Sequence, residues 1–73
     1  MNRQEIQDYA ELSPAANKHY NSSVSVSLDD GSFFMLSNAF LEVAEEWLVV
    51  YTEHHGVLVF EKDLANVYKQ WSN

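Results

Sequence analysis

Three short clusters in this 73-residue chain carry the side chains that catalysis and metal binding use. Glu53-His54-His55 holds nitrogen and oxygen ligands, while Asp29-Asp30 and Glu45-Glu46 pair carboxylates as general acid–base chemistry requires. On a strand or tight turn neighbouring side chains diverge, so Glu53 and His55 are expected to share a face that His54 does not. Two ligands at one turn do not complete a zinc site, and His19 stands alone in a connector. Working carboxylates need a pocket that shifts their pKa values, whereas adjacent acids in loops are ordinarily solvated. There is no Cys nucleophile, no Ser-His-Asp arrangement and no glycine-rich phosphate loop, since Gly31 and Gly56 both sit at turns. The expectation is a non-enzymatic chain with no catalytic residue, no metal and no cofactor.

The aromatic residues are the other candidate. Phe33, Phe34, Phe40, Trp47, Tyr51, Phe60, Tyr68 and Trp71 are numerous enough for a base-stacking platform. Such a platform also needs positive charge, and the chain is poor in it. Arg3, Lys18, Lys62 and Lys69 face eleven acids, for a formal charge of −7. An acidic surface repels phosphates within about a Debye length, ~10 Å, so core and interface packing is the better use for most of these rings. Tyr20 and Trp71, near the ends of the ordered elements, are the expected exceptions.

The elements that would position these groups are legible. Asn2 and Glu5 have the spacing of a capping box, and Ile6, Tyr9 and Ala10 share a face, which predicts a helix over 3–12. Ser13-Pro14 ends it or starts a second brief turn, and 15–22 forms a connector anchored by Tyr20. In VSVSLDDGSFF, Val24, Val26 and Leu28 alternate with Ser25 and Ser27, predicting a half-buried strand over 23–28. Asp29-Asp30-Gly31 supplies turn chemistry. A second strand is predicted over 32–42. At about 35 Å it is too long to stay straight in so small a domain, and Ser37-Asn38 is the natural place to bend. A rival reading makes the segment around 42–46 helical, because AFLEVAEEWLVV contains good helix formers. Strands over 47–52 and 57–60 flank a turn at 53–56; a single turn at 62–64 leads to a last strand over 65–68.

Length, 47% hydrophobic content and the absence of Cys bound the rest. The chain reads as one domain: helical arm and connector over 1–20, five-stranded barrel over 23–70. So small a domain has a thin stability margin and no disulfide to add to it, which favours self-association. No apolar run approaches the roughly 18 residues a membrane span needs, and the first residues are polar, so no membrane partner and a cytoplasmic location are expected.

From Val24 onward this pattern resembles the Sm-like proteins, the group that includes bacterial Hfq and the Sm and Lsm proteins. VSVSLDDG, SFFMLSNAFL and Glu42 match the first family motif: alternating apolar residues, a turn ending in Gly, and a long bent strand closing on an acid. VLVFEKDLANVY matches the second, with Leu64 and Val67 at its apolar positions. The resemblance implies a mostly β fold: a short N-terminal α-helix, then a strongly bent five-stranded SH3-type small barrel. It also implies a homo-oligomeric ring of roughly five to eight subunits, with strand four of one copy pairing with strand five of the next. Val57, Val59, Phe60, Asn66, Val67 and Tyr68 would form that interface. RNA association would run through Lys62 and Arg3, with Glu42 orienting the third loop. Three positions depart from the family. Leu36 stands where Gly is usual, Ala44 where an aromatic often stacks on the base, and Glu46 where an Asn reads uridine. The fifth loop, often basic in the family, is Glu61-Lys62-Asp63, and carboxylates there and at Glu46 weaken RNA affinity. An acidic module for an unidentified protein partner, or a nucleic-acid mimic, is the alternative.

Overall fold

A computed structural model describes residues 1–13 and 20–72. Helix α1 spans Arg3–Leu12, followed by β1 (Ser22–Leu28), β2 (Phe33–Ala44), β3 (Trp47–Thr52), β4 (Val57–Glu61) and β5 (Ala65–Ser72). One 3-10 turn, Lys62–Leu64, joins the last two strands. No helix among the described residues is long and apolar enough to cross a membrane. Pro14, the connector residues 15–19 and with them Lys18 and His19 lie outside the described residues.

The helix starts where its side chains satisfy its first amides. Asn2 Oδ1 accepts from the Glu5 N–H and Glu5 Oε1 accepts from the Asn2 N–H, both at 2.8 Å. Each bond satisfies a donor that helical geometry leaves orphaned. At the other end Ser13 is extended (φ −71°, ψ 136°), as a residue preceding proline prefers. The β1–β2 turn is built as its composition predicts. Leu28 donates to the Ser32 carbonyl at 2.9 Å, Gly31 takes a φ of +93°, and Asp30 Oδ1 accepts from the Ser32 N–H at 2.8 Å. That bond holds the Asp30 carboxyl below its ordinary pKa.

The central segment is strand, not helix. Ala39 to Ala44 pair with Thr52 to Trp47, and only Glu45 and Glu46 form the turn. Good helix propensity loses here because Trp47–Thr52 offers a fully buried partner strand, and burial outweighs preferences of a few tenths of a kcal/mol per residue. β2 bends where expected. Between Ser22↔Ala39 and Val24↔Leu36, β2 carries one residue more than β1, a bulge that includes Ser37-Asn38, and Asn38 adopts φ +51°. The positive φ falls on Asn38 rather than on Leu36.

The sheet order is β4-β3-β2-β1-β5, antiparallel throughout. It is not closed into a barrel: β4 and β5 are its two edges, and no ladder joins them. Curling brings the edges close enough for the 3-10 turn to span them. Phe34, on the N-terminal half of β2, meets Phe60 of β4 with ring centroids 5.1 Å apart. Lys62 donates to the Glu46 carbonyl, and Asp29 donates to the Leu64 carbonyl, so the turn is tied to both sides of the gap. β5 also runs past residue 68 to Ser72, because β1 supplies pairing partners as far as Ser22.

Two apolar layers result. On the outer face, Ile6 and Ala10 of α1 pack with Trp47, Val49, Tyr51 and Val59; Tyr20 joins this layer. On the inner face, Val24, Val26, Ala39, Leu48 and Val50 form a second core. β3 is covered on both sides, which is why WLVVYT reads as an unbroken apolar run rather than an alternation. Fully burying a residue such as Ile6 stabilises by about 1.5–3 kcal/mol, and this fastens α1 to the sheet.

Candidate interaction surfaces

The residues expected to meet RNA are placed in two different settings. Arg3 Nη1 donates to the Val59 carbonyl at 2.8 Å, and the guanidinium carbon lies 5.4 Å from the Trp47 ring centroid. Trp47 Nε1 in turn donates to the Met1 carbonyl at 2.8 Å. Trp47 pairs with Glu61, the residue before Lys62, so Arg3 and Lys62 share one end of β4. That end also carries the exposed acids Glu45, Glu46, Glu61 and Asp63, with the N-terminal ammonium 3.8 Å from Glu45. The four acids there outnumber the three cations, Arg3, Lys62 and the N-terminal ammonium, by one.

Glu42 is elsewhere, on the helix-facing side of β2. Its carboxylate accepts from Tyr51 Oη at 2.6 Å and from Tyr9 Oη at 3.1 Å. Burial, and then the bond to Glu42, push the Tyr51 phenol well above its ordinary pKa. Tyr9 is raised by the hydrogen bond to Glu42 and then by its charge. The carboxylate thus ties α1 to both β2 and β3.

The Glu53-His54-His55 turn departs from expectation. Glu53 approaches His54 Nε2 at 3.6 Å, because 53–55 is a bend in which strand alternation does not apply. Thr52 Oγ1 donates to the Gly56 carbonyl and accepts from the His55 N–H, each at 2.8 Å, which closes the turn. No group of three or more ligating side chains gathers among the described residues.

The expected interface residues lie on the two sheet edges. Thr52 N–H to Gly56 O and Lys62 N–H to Glu46 O mark the hydrogen-bonded pairs of β3 and β4. Antiparallel pairs alternate between bonded and non-bonded, so Leu58 and Phe60 bond β3. Val57, Val59 and Glu61 then turn their backbone groups outward. The same alternation, started from Leu28 N–H to Ser32 O, directs Ser23, Ser25 and Ser27 to β5 and leaves Tyr68 and Gln70 facing outward. Phe60 and Tyr68 are half-buried against the inner core, while Asn66 and Val67 are exposed.

One surface was not anticipated. On the outer face of β2, β1 and β5, register aligns Phe33–Ser27–Val67 and Met35–Ser25–Lys69, with Ser23 beside Trp71. Small serines form the floor, and larger side chains form the walls of a groove of about 580 Å³. Phe33 is 59% exposed and Met35 55%, so these side chains are walls and not core. The signal was present: Phe33, Phe34, Met35 and Leu36 are apolar at both parities, which puts apolar side chains on both faces of β2. Trp47 and Tyr51 are core, one of the two uses expected for most of the rings, whereas Phe33 and Phe34 lie outside the buried core. No protein-family model, curated protein or solved structure matches this chain.

Proposed function

We propose that this chain is a non-enzymatic, Sm-like subunit that assembles head to tail, β4 of one copy pairing with β5 of the next, into a ring that presents a binding surface. The observation that carries this reading is the pair of sheet edges without a partner strand: β4 and β5 each turn a row of backbone groups outward on opposite sides of one curled sheet. Unpaired edges of this kind recruit strands unless blunted. A heterologous contact that closes satisfies both edges at once and adds the burial that a small domain lacks. The order of elements, the long bent β2 and the one-turn link between β4 and β5 support the same reading. RNA is a secondary partner in it, reached through Lys62, since Arg3 and Glu42 are bonded within the chain.

Light scattering on a sizing column at two salt concentrations tests assembly. Roughly five to eight times the 8.4 kDa subunit mass, persisting in high salt, is the expected result. A monomer at every concentration overturns the ring.

A second reading, an acidic module for a basic protein partner, is favoured by the solvent face of α1. Glu5, Asp8 and Glu11 are exposed there beside Tyr9 and Leu12. Association with such a partner is expected to weaken as salt is added.

A further inference from the structure

Two carbonyls of the outward row of β4 already accept side-chain bonds. Arg3 Nη1 donates to the Val59 carbonyl at 2.8 Å, and Gln7 Nε2 reaches the Val57 carbonyl at 3.4 Å. These are the acceptors that an added strand would use. The match is geometric: residues four apart on a helix rise about 6 Å, and carbonyls two apart on a strand are separated by about 6.7 Å. Helix and strand run in opposite directions, so Arg3 meets Val59 and Gln7 meets Val57. Both donors are themselves held. The Arg3 guanidinium lies over Trp47, and Gln7 Nε2 also donates to Glu11 Oε1 at 3.0 Å.

We infer that α1 guards the β4 edge: Arg3 and Gln7 hold two carbonyls that an incoming strand would bond, and the edge opens to a second copy when those side chains swing away. This rests on the ring reading above and names what controls it. A side chain capping an edge carbonyl does for one chain what a charged or bulged edge does generally, keeping the sheet from extending without a partner strong enough to displace it. The incoming strand replaces two side-chain donors with backbone N–H groups from the outward row of β5. The chemistry is balanced, and the guard therefore raises the concentration needed for assembly without preventing it.

The test is the concentration dependence of native mass for the wild type, Arg3→Ala, Gln7→Ala, the double variant and a control, Gln4→Ala. Among the described residues the Gln4 side chain bonds Asp8, and both are exposed, so this change leaves the guard intact. The double variant is expected to assemble at a concentration at least tenfold lower than the wild type, each single variant in between, and Gln4→Ala unchanged. Thermal unfolding checks that each variant is folded; if the double variant is not, Gln7→Ala, which spares the Arg3–Trp47 contact, is read in its place. Equal assembly of wild type and double variant overturns the guard and leaves the ring standing. Weaker assembly of the double variant also overturns it, making Arg3 and Gln7 part of the interface. Monomers throughout overturn the ring reading, and the guard with it.

Discussion

Tyr51 is fully buried, and its hydroxyl donates to Glu42 over 2.6 Å while Tyr9 donates to the other oxygen. Its phenol is therefore held protonated in the fold, whereas in the unfolded chain it ionises near pH 10. A group whose folded pKa is raised contributes stability that is complete below its unfolded pKa and declines as pH rises above it. Stability is thus expected to hold up to about pH 10 and then to fall by as much as about 1.4 kcal/mol per pH unit. Tyr51→Phe is expected to cost about 1–2 kcal/mol at neutral pH, through loss of a hydrogen bond to a carboxylate, and to flatten the alkaline decline. Urea titrations at pH 7 and pH 11 measure both effects; an unchanged alkaline slope in the variant contradicts the assignment.

At the scale of the element, β2 is one strand that serves two ladders, and the bulge with Asn38 at φ +51° is the joint between them. The Asn38 carbonyl accepts from the Glu53 N–H at 3.1 Å, so the joint also holds the β3–β4 turn. Asn tolerates the left-handed region, a β-branched residue does not. Asn38→Val is expected to destabilise by about 1–2 kcal/mol, while Asn38→Gly stays within about 0.5 kcal/mol of the wild type. Chemical denaturation of the two variants decides the matter. If valine is as well tolerated as glycine, the bend is maintained by tertiary packing and not by the backbone of residue 38.

For the whole molecule, the dominant fact is a sheet that the described residues cover incompletely. α1 covers the outer face over β3 and β4, while the serine-floored groove over β1 leaves Phe33, Met35, Val67 and Trp71 partly in water. Exposed apolar patches of this kind mark contact surfaces or sites of aggregation. Replacing Phe33 and Met35 together by Ser is expected to reduce binding of an apolar dye several-fold. Stability should change by less than about 1 kcal/mol, since neither residue belongs to a buried core. A large loss of stability would show that the groove is packed in solution.

What the sequence determined by itself was local. The Asn2–Glu5 capping box, the Asp-Asp-Gly turn, the single turn at Lys62–Leu64 and the bounds of β3 all follow from interactions within a few residues, and each stands in the structure as read. The bend in β2 was legible too, because length alone forbids a straight strand. Tertiary structure decided everything that depends on register and on which elements meet. Pairing placed Phe33 and Met35 beside small serines and so made a groove from an apolar run. Packing of α1 brought Tyr9 to Glu42, and Arg3 and Gln7 to the β4 edge, across separations of 33, 56 and 50 residues. It also left the sheet open where a barrel was expected. A side chain's type limits the bonds it can make; only the fold decides which of the partners in reach it takes.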